Sequence, residues 1–468
     1  MPNSPIDIPR LMIAALRGGS GKTIVSIGII AALTQQHKVV APFKKGPDYI
    51  DAGWLAMAAN RHCYNLDHFL ADPACVCRSF LTHAPAADFD VAVIEGNRGL
   101  FDGLDVEGTT STASLAKLLQ TPVILCLDCT KSTRTMAAVV LGCLHFDPAV
   151  NIQGAILNRV AGSRHERILR TSIEQYCGVK VLGAIPKLDQ QDFPERHMGL
   201  IPTPEHALVN HSIRVAGETV SRHVDLDAMM RVAQAAAAVP VTCTGEADTG
   251  PISIGLKRPR IGIIKDSAFQ FYYPDNLEAL VSAGADIIYV SPLAETHLPD
   301  IDALYIGGGF PETHAPQLAD NLAFRKALKS AADDGLPIYA ECGGLMYLGE
   351  SLVLDTPYPM TGVLPIVFGF AKKPQGHGYT MVTVEGENPY YAMGMQLRGH
   401  EFHYSQVLEW KGSDQDMVFS MQKGRGIVNQ RDGVCYRNVL ATYTHVHALG
   451  VPQWAEAMVR VALRGDKY

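Results

Sequence analysis

The stretch LMIAALRGGSGKTIVSIGII, residues 11–30, constrains this chain more than any other: an apolar run breaks at Gly-Ser-Gly-Lys-Thr and then resumes with helical spacing. The phosphate-binding pattern G-x-x-x-x-G-K-[ST] asks for glycine at position 16, where this chain has Leu16, yet Gly18, Gly19, Ser20, Gly21, Lys22 and Thr23 keep its second half intact. Small residues let backbone amides turn inward toward a phosphate, Lys22 can reach β and γ oxygens, and the Thr23 hydroxyl can ligate magnesium. An amphipathic helix following the loop would aim its positive end at the same anion. A nucleotide with Mg2+ is therefore the expected ligand.

The rest of the chain extends that grammar. Apolar runs at 11–15, 39–43, 90–95, 122–127, 154–158 and 181–186 alternate with helical stretches, which predicts an α/β fold with a parallel sheet covered on both faces. Ligands in such folds bind at the carboxyl ends of the strands. Residues 236–258, rich in Pro, Gly and Thr and without periodicity, read as a linker between a 1–235 domain and a second α/β domain at 259–468. At 468 residues and 47% hydrophobic content the chain can bury two cores. A net charge of −7 with no basic run argues against a nucleic-acid surface. No charged-then-apolar leader opens the sequence and no apolar run approaches membrane-span length, so a soluble, cytoplasmic protein with no membrane partner is expected. The pairs Cys75/Cys77 and Cys126/Cys129 have no second pair at zinc-site distance, so Cys126, inside VILCLDC, reads as a small core hydrophobe.

A phosphate loop needs a carboxylate at a strand end to complete the magnesium shell. Asp48 and Asp51 follow the second strand in PFKKGPDYIDAGW, and Glu95 and Asp102 lie at and beyond the end of the third in VIEGNRGLFDG. Glu95 leads as metal ligand with Thr23 and Asp48. For Asp51 the rival reading is a helix N-cap. Lys44 and Lys45 read either as holders of an anion or as a surface pair.

In the second half LPIYAECGGLMYLGE places Cys342 directly after an apolar strand, with Gly343 and Gly344 opening a helix. Such an elbow exposes the thiol at the sheet edge and favours thiolate, and the amides after it can hold an oxyanion. Ala340 stands where glycine is usual two residues before the nucleophile. The base would come from His445 or His447 in LATYTHVHALG, which share a face if both lie on a strand.

The segments FKKGPDYID, EGNRGLFDG and LNRV at 157–160 resemble the synthetase half of the cobyrinic acid a,c-diamide synthase family, which is similar in fold to dethiobiotin synthetase. The elbow, YIGGGFPE at 305–312 and RGHEFHYS at 398–405 resemble the triad-type glutamine amidotransferase half of the same family. The resemblance implies a P-loop ATP-dependent synthetase domain with Asp48, Asp51, Glu95 and Asp102 serving magnesium or substrate phosphorylation, and Asn158 near the adenine. It implies glutamine hydrolysis at Cys342 and His445, with an oxyanion site at Gly308, Gly309 and Gly343. Where many relatives have H-x-E this chain has His447, so no third catalytic member is expected there. The implied reaction is ATP- and glutamine-dependent amidation of peripheral acetates of a modified tetrapyrrole through an acyl phosphate, with a tetrapyrrole polycarboxylate and L-glutamine as partners. Cobyrinic acid, hydrogenobyrinic acid, sirohaem and nickel sirohydrochlorin stay open as substrates, as does a homodimer. The loop RGGSGKT also resembles the K-G-G-x-G-K-T variant of ParA/MinD-type ATPases, with Arg17 for the leading lysine, which leaves an ATPase switch as the alternative.

Overall fold

The computed structural model describes residues 7–85, 87–187, 193, 195–196, 199–206, 208–239 and 258–464. It divides into two compact units, Met1–Glu246 and Ala247–Tyr468. The sequence-assigned linker falls mostly, at residues 240–257, outside the described residues.

In the first unit β1 (Arg10–Ala15), β2 (Val40–Lys45), β3 (Tyr64–Leu66), β4 (Val91–Glu95), β5 (Val123–Asp128), β6 (Ile152–Val160) and β7 (Val181–Pro186) form one sheet in the order β3-β2-β4-β1-β5-β6-β7. Every pairing is parallel. The strands are buried almost throughout, which is why they read as continuous apolar runs rather than alternating ones. Inserting β4 between β1 and β2 makes a switch in strand order there, so the ends of β1, β2 and β4 converge where such sheets bind ligands. Within this sheet the short β3 is the strand not anticipated, and outside it the two-residue strands Glu195–Arg196 and Gly199–Leu200 form a small antiparallel pair that was not anticipated either.

Helix α1 (Lys22–Gln35) departs from the expected amphipathic pattern: Val25 to Leu33 are all buried. It is covered on its outer side by the helix Val209–His223, against which a Cβ on Gly28 would meet Val220 at 2.5 Å and the Ala216 carbonyl at 2.8 Å. A helix buried all round carries no amphipathic signature.

The second unit is built on a ten-stranded mixed sheet. Five strands, Asp286–Val290, Arg260–Ile264, Ala303–Ile306, Ile338–Glu341 and Val439–Thr442, run parallel in that order. Beyond them Arg431–Tyr436, Met417–Lys423, Gly376–Val384 and Gln396–His403 continue antiparallel. The run curls back, for His445–Val446, only just past Val439–Thr442 in sequence, closes it by pairing with Gln396–His403. The sequence reading missed this antiparallel half. Its effect is to bring RGHEFHYS beside the histidines. Among the described residues no helix is long and apolar enough to cross a membrane.

Candidate active sites

The loop between β1 and α1 is shaped by backbone that only glycine adopts freely: Gly19 has φ 72° and Gly21 φ 81°. A Cβ on Gly21 would run into the Asn158 side chain. Asn158, at the end of β6, donates its amide to the Ser20 carbonyl at 2.9 Å, and the Ser20 hydroxyl donates to the Arg17 carbonyl at 3.0 Å. Asn158 therefore braces the loop itself.

Beneath the loop lies a buried charge cluster. Parallel pairing of β2 with β4 sets Lys44 opposite Glu95. The Lys44 ammonium is 2.7 Å from Asp51 Oδ2 and 3.0 Å from Glu95 Oε1, and Lys22 Nζ is 3.5 Å from the same Glu95 oxygen. The Thr23 hydroxyl donates to Glu95 Oε1 at 2.8 Å and lies 3.2 Å from Asp51 Oδ2. Burial works against the Lys44 charge, but Asp51 and Glu95 overcome it and raise its pKa. Burial likewise pushes the Asp51 carboxyl up, and Lys44, Lys22 and the Thr23 hydrogen bond hold it below its ordinary value. Lys44 is thus no surface residue but the centre of the cluster. Lys45 is also buried, and burial lowers its ammonium while Asp67 opposes the shift.

The helix-capping role belongs to Asp48 rather than Asp51. Helix α2 (Tyr49–Ala59) begins at Asp48, whose carboxylate accepts from the Asp51 amide at 2.9 Å, leaving the Asp51 side chain in the first turn free to face Thr23 and Lys44. Burial, then the neighbouring Asp51 charge, raises the Asp48 carboxyl to about 7. Asn65 on β3, which no motif flagged, holds this turn by donating to the Gly46 carbonyl at 2.7 Å and the Asp48 carbonyl at 3.0 Å. Asp102 is exposed and accepts from the Gly99 amide at 2.9 Å within its own loop. That loop abuts the Leu16 carbonyl, so Asp102 borders the phosphate loop without joining the cluster.

Magnesium fits these residues. Glu95 Oε2 is buried with no hydrogen-bond partner, beside a threonine hydroxyl at the helix start. No group of three or more His, Cys, Asp or Glu among the described residues could hold an ion alone. That agrees with an ion that takes one or two carboxylates and completes its shell with phosphate and water. Cys126 and Cys129 are free and buried, and burial pushes both thiols up to about 12, as expected of inert core residues.

In the second unit Cys342 follows the strand Ile338–Glu341 and opens the helix Gly343–Leu348 with φ 48° and ψ −96°, a strained conformation for a residue with a Cβ. Its amide donates to the Thr442 carbonyl at 2.8 Å. A Cβ on Gly343 would lie 2.9 Å from the Gly309 amide nitrogen, and one on Gly308 would lie 2.6 Å from His445 Cε1. The elbow and the imidazole therefore meet on the two sides of one glycine turn, which brings Cys342, His445, Gly308, Gly309 and Gly343 together. Burial, then Glu312 and Glu341, lifts the Cys342 thiol well above its usual range, so it is protonated at neutral pH and needs a base.

The two histidines do not share a role. His445 Nδ1 lies 3.4 Å from Glu341 Oε2 and its ring stacks on His400 at 4.8 Å. His447 Nε2 lies 3.5 Å from Asp275, and its Nδ1 accepts from the Leu449 amide at 3.3 Å. Burial, then His445 and His447, drives the His400 pKa far down, so that ring is neutral. Glu401 accepts from the Arg425 and Gly426 amides at 2.6 and 3.0 Å, and His403 stacks flat on Tyr443 at 3.7 Å. Buried Asp432, another residue no motif flagged, fixes the turn before His445 by accepting from the Thr442 hydroxyl at 2.7 Å and the Tyr443 and Thr444 amides at 2.9 and 3.0 Å.

Residues 11–201 match the family model of the CobQ/CobB/MinD/ParA nucleotide binding domain, and residues 260–452 that of the CobB/CobQ-like glutamine amidotransferase domain. A cobyrinate a,c-diamide synthase of Magnetococcus marinus is 43% identical over 97% of this chain and 97% of its own length. The chain belongs to the cobyrinate a,c-diamide synthase family. Family members of Archaeoglobus fulgidus and Methanosarcina barkeri are 38% and 36% identical over 98% and 97% of this chain, and 99% and 96% of their own lengths. As a member of this family the chain is a carbon–nitrogen ligase that takes its nitrogen from glutamine, with a nucleotide-binding first unit.

Proposed function

We infer that this chain amidates peripheral acetate carboxylates of cobyrinic acid with ATP and glutamine, through an acyl phosphate. The full-length similarity to proteins named for that substrate carries the choice of cobyrinic acid. The cluster of Thr23, Lys44, Asp51 and Glu95 at the strand ends beneath the phosphate loop supports the activation step.

ATP with magnesium supplies the phosphoryl group and neutralises its charge. The loop amides and Lys22 hold the β- and γ-phosphates, Thr23 and Glu95 present oxygens to the cation, and Asn158 keeps the loop in shape. Lys44 fixes Asp51 and Glu95 so that neither must reorganise when charge shifts. Asp48, at the mouth beside them, orients the substrate carboxylate, whose oxygen takes the γ-phosphoryl group. In the second unit His445 takes the Cys342 proton as sulfur adds to the glutamine carboxamide carbon, and the Gly308, Gly309 and Gly343 amides hold the oxyanion. Collapse breaks the C–N bond, ammonia leaves with the proton returned by His445, and water hydrolyses the thioester to glutamate. Ammonia then adds to the acyl phosphate, forming the amide bond as phosphate departs.

The test is mass spectrometry of product after offering cobyrinic acid, sirohaem or nickel sirohydrochlorin with ATP and glutamine. Amidation of cobyrinic acid is expected, and amidation of only another ring would overturn the substrate. ATP hydrolysis independent of any carboxylate and of glutamine would favour the ATPase switch.

A further inference from the structure

We propose that Glu341, the residue immediately before the nucleophile, is the positioning carboxylate of the glutaminase centre, the partner that orients His445. The proposal rests on the reading of Cys342 and His445 as nucleophile and base.

A base that must accept a thiol proton on Nε2 has to keep its own proton on Nδ1, and a carboxylate at Nδ1 enforces that tautomer and favours the imidazolium formed next. The position two residues after the histidine holds His447, which is turned to Asp275 and the Leu449 amide. Glu341 Oε2 meets Nδ1 of His445 at 3.4 Å. The carboxylate is itself held by two donors and fully buried: the Tyr305 hydroxyl donates to Oε2 at 2.9 Å, the Val446 amide donates to Oε1 at 3.1 Å, and no part of the side chain is exposed. Because Val446 follows His445, Glu341 grips the backbone and the ring of the same short strand. Burial, then Glu341 itself, keeps the Tyr305 phenol protonated as a donor. Strand alternation explains how adjacent residues do different work. Glu341 faces the layer of Tyr305 and Val446, Cys342 faces the layer of Tyr443 and Leu345, and His445, on the last strand of the sheet, lies against Glu341 and the Gly308 turn.

Two neighbouring titratable groups do not take the role. His400, opposite it on the paired strand, is kept neutral by burial, and Asp275, on the helix Pro274–Ser282, faces His447.

The test uses the full chain and Glu341→Gln, which removes the charge and keeps one acceptor oxygen, enough for the Val446 amide while the new NH2 faces the Tyr305 hydroxyl oxygen. Glutamine-dependent kcat should fall roughly 10²- to 10⁴-fold, as expected when a base loses its orienting carboxylate, with KM for glutamine and ammonia-dependent amidation within about threefold. The Nδ1 proton signal of His445 in the NMR spectrum should be lost or move upfield. In a His445→Ala background Glu341→Gln should add no further loss, since a group acting through another has nothing left to act on. If Glu341→Gln does not fold, Tyr305→Phe, which removes one support of the carboxylate, should lower the glutamine-dependent kcat alone. Undiminished glutamine turnover, equal loss with ammonia, or a further loss in the His445→Ala background would each overturn the role. Cys342→Ser in the same series separates the two levels, because persistent glutaminase activity there would instead sink the assignment of the centre itself.

Discussion

Replacing Lys44 with methionine tests whether the buried cluster is held together by that one ammonium. Before desolvation, unit charges at 2.7 and 3.0 Å interact by about 6 and about 5.5 kcal/mol at an effective dielectric near 20. Desolvation of three buried groups cancels part of this, and removing one partner of a buried pair costs about 3–5 kcal/mol net. Methionine fills a similar volume, so the loss is electrostatic: Asp51 and Glu95 are left facing each other across Thr23, with Lys22 at 3.5 Å as the nearest counter-charge to Glu95. For a unit of this size that corresponds to a melting-temperature drop of roughly 6–20 °C. Differential scanning calorimetry of the full chain would resolve it in the transition that nucleotide stabilises. Magnesium alone should restore part of the loss in Lys44→Met while barely moving the wild type, because the cation can replace the ammonium. Asp51→Asn should be less costly in the Lys44→Met background than alone. A melting temperature within about 2 °C of wild type, which at this size is under about 1 kcal/mol, together with additive double-mutant behaviour, would refute the claim that Lys44 organises the site.

Cys342→Ser should abolish glutamine-dependent amidation and leave the ammonia-dependent rate near wild type, read by product formation with each nitrogen source. Lys22→Ala should remove ATP-dependent synthesis with either source, by about 10²-fold or more for lost phosphate stabilisation; undiminished turnover would make the loop ornamental. Asp48→Asn should act on pH-dependent stability with a definite sign. The Asp48 carboxyl is raised to about 7 in the folded protein against an ordinary aspartate near 4, so the folded state holds the proton more tightly and its stability declines as pH rises through that window. Asparagine caps a helix equally well and cannot ionise, so its stability relative to wild type should grow between about pH 4 and 7 and then level off, measured by urea midpoints.

The first unit was largely legible because its information is local. A parallel strand buried on both faces announces itself as a short apolar run, and a phosphate loop by its small residues, so 11–30 carried most of the fold. What escaped was set by pairing between distant segments. For Lys44 the sequence leaves an anion-holding cation and a surface charge both open, and only the neighbouring of β2 and β4, which puts it opposite Glu95, decides for the first. Asp48 and Asp51 were both seen, but which one caps depends on where α2 starts, a matter of one helical turn. In the second unit the cysteine elbow was visible as strand followed by glycines. Glu341 was hidden in plain view, since its use depends on a strand more than a hundred residues later folding back beside it. The antiparallel half escaped because its strands are mixed in exposure and lack the continuous apolar signature.

The left-handed backbone at Cys342 sets reactivity against stability. A residue with a Cβ held at φ 48° costs on the order of 1–3 kcal/mol, which glycine would relieve. The fold therefore keeps its thiol at this elbow against a local preference for glycine, and the substitution that would relax the backbone most is the one that would leave the position with no nucleophile.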